Sequence, residues 1–257
     1  MDTIQINKFS RLHDGKNIIF CKTECLEGEF ENIKNLKNDV VLISGNSDIC
    51  VDDDIFNKRP PNISKWFAQN ALVNHEILEP LPIGIENRYP SIRDGHGIGW
   101  GDRVETKENV ISNPPDIKFS KFIYSNFNIE TNPGHRSQIR EICINTNFID
   151  WEEPNLSIET FFTKLLDYEA IVCAQGNGPG DNHRIYETLY MGRIPITFNK
   201  VMYEKLHYLF PVVLIEEIND LNNYEIMRKK IDEVKNKEWD KNTLSTDYWF
   251  DKIIKCK

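Results

Sequence analysis

The stretch Cys173–Ile196, CAQGNGPGDNHRIYETLYMGRIPI, joins a glycine-rich loop to an amphipathic segment. Gly176, Gly178 and Gly180 fall within five residues, and polar side chains follow at once. The runs EAIV before the stretch and RIPITF at its end are short and apolar, which is typical of buried strands. The stretch therefore predicts a strand, a loop, a helix and a second strand, the repeating unit of a parallel α/β sheet.

The residues after the glycines favour an anion site. Asp181 or Asn182 can cap a helix that begins here, and the free N–H groups at a helix N-terminus stabilise an anion. Arg184 and Glu187 are three residues apart, so their side chains meet on the helix surface. An arginine offers two donors to a phosphate, and a carboxylate suits a ribose diol. The loop matches neither a P-loop nor the dinucleotide fingerprint, and a packing loop with a solvated ion pair is the alternative interpretation.

Further from this stretch, apolar runs alternate with helical patterns, most regularly after residue 117. NPPD, Asn113–Asp116, is the best linker candidate. ISKWFAQNALV predicts a short helix with Ser64 as N-cap, and ENRYPSIRDGHGIGWGDRVETKEN predicts a long loop. We expect an α/β protein with two small Rossmann-like, doubly wound domains that face a cleft. The predicted domains are residues 1–115 and 116–240, followed by a C-terminal helix in 241–257 that can pack back on the first domain.

Composition excludes several classes of protein. The net charge of −9 and the absence of a Lys/Arg run argue against nucleic-acid binding. The sequence contains no apolar segment of 18 residues, so we expect no membrane span, and the N-terminus lacks the pattern of a signal peptide. The six scattered cysteines predict free thiols and a cytosolic location. Val51–Asp54, VDDD, suits a hard cation but is more typical of a solvated loop, and we expect no metal.

The central block also carries a family resemblance. GNGPGDNHRIYETLYMGRIPI resembles the GNG-x-D-x-HR-x-WE-x-L-x-x-G-x-IPI block of exostosin-like and ribitol-xylosyltransferase-like glycosyltransferases of the GT-B type. LISGNSD, KWFAQN, PLPIGIENRYP and YSNFNIETNPGHR resemble further blocks, so the likeness extends over residues 40–200. The chain departs from the pattern at the inserted Pro179, at Tyr186 in place of Trp, and at Gly45 in place of His.

The resemblance implies that the C-terminal half binds a nucleotide-sugar donor. Arg184 is expected at the diphosphate and Glu187 at the ribose. The other donor-site residues that it implies are Gly176, Asn177 and Gly178 along the phosphates or the sugar, Asp181 and His183 at the helix start or the sugar, and Asn126, Thr131 and Arg136 beside the base or the phosphates.

The expected reaction is sugar transfer, with UDP-xylose as the first donor to consider, to a glycan hydroxyl, inverting and independent of metal. Such a reaction needs a general base. Asp48 is the first candidate because it follows a buried strand, and His96 and Asp102 come next. A nucleotide- or glycan-binding module without turnover is the second hypothesis. A cysteine hydrolase using Cys173 and His183 is a weaker third, since buried cysteines are mostly inert.

Overall fold

The chain forms two compact units, each built on one parallel sheet, in a computed structural model that describes residues 2–92 and 99–257. Unit 1 comprises Met1–Val104, Gly178–Asp181 and Lys241–Lys257, and unit 2 comprises Glu105–Asn177 and Asn182–Asp240. Across these described ranges, no helix is both long and apolar enough to cross a membrane.

The sheet of unit 1 has four parallel strands in sequential order. One face carries Ile19, Leu42 and Trp66, which pack in a common core with side chains of the first helix such as Phe30 and Ile33. This period-two alternation buries one set of side chains under the helices and the other set on the opposite face. The elements are β1 Ile18–Lys22, α1 Leu26–Lys34, β2 Val40–Gly45, α2 Asp53–Asn57, β3 Ile63–Ala68 and β4 Leu78–Pro80.

The predicted helix at ISKWFAQNALV is wrong, because this segment forms the strand β3. Trp66, Phe67 and Ala68 are fully buried, and the strand pairs with β2 on one side and β4 on the other. Ser64 donates its hydroxyl to the Val40 carbonyl rather than capping a helix. Pairing on both sides and burial on both faces outweigh the weak helical pattern of a short apolar run.

The last segment of the chain completes unit 1. Helix α9, Thr246–Ile254, buries Trp249 and Ile253. The Thr246 hydroxyl donates to the Thr3 carbonyl at 2.8 Å, and Phe250 lies 5.3 Å from Phe9, centroid to centroid. Residues 241–257 therefore supply part of the core that covers the N-terminal segment.

Unit 2 contains a five-stranded parallel sheet in the order β6-β5-β7-β8-β9. Ile123, Ala170 and Val172 face one core, while Tyr124 and Ile171 face the other. Helices cover both faces, so the unit is doubly wound. Helix α3, Gly101–Ser112, begins in unit 1 and continues into unit 2. The other elements of unit 2 are β5 Lys121–Ser125, α4 Pro133–Asn145, β6 Ile149–Trp151, α5 Ile158–Leu166, β7 Tyr168–Val172, α6 His183–Tyr190, β8 Ile194–Thr197, α7 Lys200–Lys205, β9 Val213–Leu214 and α8 Tyr224–Lys235.

The helix α3 differs from the long loop expected there. It begins at Gly101 and continues to Ser112, and its Val110 and Ile111 pack on the core beneath α5. The division between the units falls within this helix, between Val104 and Glu105, whereas the predicted boundary lies at 115/116.

The fold is thus α/β with two parallel sheets, as predicted at that level. The expected doubly wound reversal of strand order occurs in unit 2. In unit 1 the described strands follow one another without a reversal, because each new strand is added to the same edge of the sheet.

Candidate functional site

The strand order of unit 2 marks one place for a ligand. From β5 the chain adds β6 on one side of the sheet and then β7 on the other, so the winding direction changes between β5 and β7. The two connections leave a crevice at the carboxyl ends of these strands, where ligands of open α/β sheets bind. Asn126 follows β5 there, and the loop that begins at Cys173 follows β7.

Arg136 of α4 shapes the start of this loop. Its Nε donates to the Gln175 carbonyl at 2.7 Å, its Nη1 to the Asn128 carbonyl at 2.6 Å and its Nη2 to the Ala174 carbonyl at 3.3 Å. Burial, and then the nearby charge of Arg184, lower the pKa of Arg136 to about 10. Because all three nitrogens already donate to the backbone, the predicted phosphate contact would have to use the second hydrogen of Nη1 or Nη2.

Asn132 makes hydrogen bonds both to the start of α4 and to the loop after β7. Its Oδ1 accepts from the His135 N–H at the start of α4, and its Nδ2 donates to the Gly176 carbonyl at 2.9 Å. Pro133 follows it at the first helical position, where the missing N–H costs nothing. One asparagine therefore caps a helix and fixes a glycine of the loop.

Arg184 stands in the first turn of α6. Its Nε lies 3.3 Å from Oε2 of Glu187, and its guanidinium carbon lies 3.9 Å from the centroid of the Phe161 ring. Nη1 is buried, and no described residue provides it with a hydrogen-bond partner. A buried donor without an acceptor costs about 1–3 kcal/mol. The arrangement therefore favours an acceptor that comes from outside the chain.

Glu187 is held between two cations. Lys107 of α3 donates to its Oε1 at 2.5 Å, and the two side chains are only 6% and 5% exposed. Burial alone would raise the pKa of the Glu187 carboxyl, but the charges of Lys107 and Arg184 outweigh burial and hold that pKa below its usual value. Two positive groups and one negative group leave a net charge of +1 on this triad.

The helix α6 fixes these side chains because its other face is apolar. Ile185 and Leu189 are buried on that face. The helix ends with a left-handed Gly192 at φ +67°, and the Arg193 N–H donates back to the Thr188 carbonyl. Such a glycine stop satisfies the last carbonyls of the helix.

The remaining predicted donor-site residues of unit 2 occupy different environments. Asn126 is buried, and its amide donates to the carbonyls of Glu152 and Glu153 at 3.2 and 3.1 Å. Asn177 is exposed, whereas Thr131, Gly176 and His183 are partly buried. Their predicted contacts with a donor stay predictions.

Gly178 and Asp181 belong to unit 1, together with the residues between them. The Asp181 N–H donates to Oδ1 of Asn70 at 2.9 Å, and its Oδ2 accepts from the Ile83 N–H at 3.2 Å. Asn182, not Asp181, occupies the N-cap position of α6, and it makes no capping bond with its side chain. Asp181 therefore anchors the loop to the carboxyl end of the sheet of unit 1.

Two of the three candidate bases lie in the described ranges, and both are exposed. Asp48 is exposed in the loop after β2, and Asp102 is exposed in the first turn of α3. His96 lies outside the described residues. Within the ranges 2–92 and 99–257, no group of three or more His, Cys, Asp and Glu side chains could hold a metal ion. In the VDDD segment Asp52 caps α2 by accepting from the Ile55 N–H at 3.0 Å.

Sequence reasoning missed four residues that shape these regions. Asn132 carries a local signal, since an asparagine directly before a proline is typical of a helix start. Lys107, Phe161 and Asn70 carry none, because each meets its partner only after distant segments fold together.

Comparison of the whole chain with protein-family models and with curated proteins gives no match to either.

Proposed function

We propose that the protein is a nucleotide-sugar glycosyltransferase of the GT-B type, in which unit 2 binds the donor and unit 1 supplies acceptor-side groups. The observation that carries the proposal is Arg184, a guanidinium fixed by Glu187 and Phe161 with a buried Nη1 that lacks a described acceptor. It stands at the carboxyl end of a doubly wound sheet, and its triad has a net positive charge. A diphosphate satisfies both the missing acceptor and the charge.

The chemistry of the transfer follows from this assignment. The acceptor hydroxyl oxygen forms a bond with the anomeric carbon, while the bond from that carbon to the diphosphate breaks. The diphosphate leaves with the electron pair, and Arg184 stabilises the negative charge that grows on it. The hydroxyl proton passes to a general base, for which Asp48 is the first candidate.

Calorimetric titration with UDP, GDP, ADP and CMP in the presence of EDTA tests the donor site. We expect one nucleoside diphosphate to bind, with UDP as the first choice. Arg184→Ala should weaken that binding by about tenfold to a hundredfold, since it removes charge-assisted hydrogen bonds. Arg59→Ala is the matched control, because Arg59 also stacks 3.9 Å from a phenylalanine ring but belongs to unit 1. Equal binding by Arg184→Ala and the unaltered protein would disprove the phosphate assignment.

A non-catalytic binding module is the second candidate, and Gly45 favours it. A Cβ at this position would lie 2.9 Å from Cγ2 of Ile6 and 3.1 Å from the Gln69 side chain. The packing therefore has no room for the histidine that the resembled family carries there, so one acceptor-side group is missing.

Turnover separates the two candidates. UDP-sugars, beginning with UDP-xylose, are incubated with the protein, and release of UDP is measured with and without added glycans. A glycosyltransferase releases UDP, slowly by hydrolysis and faster with a suitable acceptor, and Asp48→Asn should stop transfer without changing UDP affinity. Tight binding without any release from any donor would support the module.

A further inference from the structure

We propose that Lys107 is a positioning residue of the anion site: it compensates the buried charge of Glu187, so that Glu187 orients Arg184 without cancelling the positive charge of the site. The inference rests on the proposed function, because it concerns how the same site holds a nucleoside diphosphate. Lys107 lies 80 positions before Glu187 in the chain, yet their side-chain atoms approach to 2.5 Å.

A buried carboxylate is costly unless nearby cations compensate its charge. Glu187 is 4% exposed, and an isolated charge at such a position would become neutral. The titratable and charged groups around it are Lys107 from α3 and Arg184 and His183 from α6. The Cys173 thiol also faces it after β7 but stays neutral, because burial raises its pKa to about 12. Lys107 is the closest of the cations.

The two oxygens of the Glu187 carboxylate contact different cations. Lys107 occupies Oε1, so Oε2 is the oxygen that faces Nε of Arg184. With Phe161 beneath the guanidinium, this contact fixes the plane in which the terminal nitrogens point. If Lys107 were absent, Glu187 and Arg184 would neutralise each other, and the net charge of +1 would fall to zero.

We expect the UDP affinity of Lys107→Met to depend on pH in a way that the unaltered protein does not share. In the unaltered protein Glu187 stays ionised between about pH 5.5 and pH 9, so its charge does not change. In the variant the carboxyl loses its nearest cation and its pKa rises. At high pH an ionised Glu187 then cancels Arg184, and at low pH a protonated Glu187 leaves the Arg184 charge free.

The test is calorimetric titration of both proteins with UDP across this range, followed by the ratio of the variant's Kd to that of the unaltered protein at each pH. Because both proteins meet the same UDP at each pH, the effect of UDP protonation on the Kd cancels in this ratio. We expect the variant to bind at least about tenfold more weakly at pH 8, and the ratio to fall as the pH falls. Lys121→Met is the matched control, since Lys121 also pairs with a carboxylate in unit 2, Asp150 at 2.8 Å, and its ratio should stay near one.

A second variant distinguishes a direct loss of UDP affinity from a folding defect in the first variant. Lys107→Met combined with Glu187→Gln removes both charges of the buried pair, a change that proteins often tolerate. Arg184 keeps its charge in this variant but loses the carboxylate that orients it. The variant should therefore bind UDP more weakly than the unaltered protein, with a ratio that does not vary with pH.

The outcomes distinguish the two proposals. If the unaltered protein binds UDP and both Lys107 variants bind it equally well at every pH, the positioning role is overturned. The proposed function then stands. Unaltered protein that binds none of the nucleoside diphosphates would overturn the proposed function, and this inference with it.

Discussion

Gly176 and Gly180 lie in the same loop but differ in their surroundings. A Cβ on Gly180 would lie 2.3 Å from Oδ1 and 2.7 Å from Nδ2 of Asn70. That amide is held in place because it accepts from the Asp181 N–H and donates to the Ser47 carbonyl. Around the Cβ position of Gly176, by contrast, no atom of the described residues lies within 4 Å.

Gly180→Ala should therefore destabilise the protein by about 1–3 kcal/mol, as overpacking does. Gly176→Ala should leave the free energy of unfolding within about 0.5 kcal/mol, since its backbone is not left-handed and its surroundings are open. Urea unfolding of both variants measures the difference. Equal stabilities would mean that Asn70 does not hold the loop as described.

At this scale the sequence predicts local geometry better than long-range partners. The spacing of Arg184 and Glu187 predicts that their side chains meet, and the 3.3 Å ion pair agrees. The same spacing does not predict Lys107, because a buried cation leaves no periodic pattern in α3. The sequence also offers Asp181 as a cap of the helix α6. Its carboxylate instead accepts from the Ile83 N–H, which is distant in sequence.

At the scale of elements, a buried carboxylate joins β7 to α8. Glu169 accepts from Arg228 at 2.6 Å and from Lys235 at 2.7 Å, and it is 5% exposed. Burial would raise the pKa of this carboxyl, but the bonds from the two cations outweigh burial and lower it below the ordinary value of 4.5. The ionised Glu169 with its two cations thus stabilises the protein above pH 4.5, and this contribution is lost as the pH falls through the lowered pKa.

Glu169→Gln should consequently cost about 2 kcal/mol near pH 7, since it leaves a partly buried cation without its charged partner. The difference from the unaltered protein should shrink as the pH falls below the ordinary value of 4.5 and through the lowered pKa of Glu169, because Glu169 itself then becomes protonated. Urea unfolding at several pH values measures it. Glu233→Gln on the same helix is the control, because Glu233 is 60% exposed and should change stability by less than about 0.5 kcal/mol. A pH-independent loss in Glu169→Gln would contradict the ionic explanation.

Most strands of unit 2 follow from the sequence because their apolar runs end in turn residues on both sides. The elements that do not follow are those decided by pairing or by distant contacts. β3 has the composition of a helix segment but two strand neighbours. α3 follows a glycine-rich stretch that hides its start, and it is fixed by the Lys107–Glu187 pair and by Val110 and Ile111.

At the scale of the whole molecule, the chain passes between the two units more than once. Unit 1 is assembled from an N-terminal segment, four residues of the loop after β7 and the C-terminal segment. Hydrophobic periodicity identifies elements of the N-terminal and C-terminal segments but not which unit each joins, since an amphipathic helix such as α9 can cover any apolar face. The four loop residues have no such periodicity.

Trp249→Ala tests how far stability is shared along this divided chain. Trp249 is 1% exposed, and its Nε1 donates to the Thr243 carbonyl at 2.9 Å. Removal of the ring should destabilise unit 1 by about 3–5 kcal/mol. We expect hydrogen exchange to become faster in the 3-10 helix Ile6–Leu12 and in β1, which belong to unit 1, than in β7 and β8, because compact units can open separately.

Trp239→Ala is the reciprocal control in the other unit. Trp239 belongs to unit 2, and its ring centroid lies 6.0 Å from that of Phe210. Its effect should appear in β7, β8 and α8 while unit 1 keeps its protection. If both variants accelerated exchange equally in all strands, unfolding would be one cooperative event. The division into units would then describe packing alone and not stability.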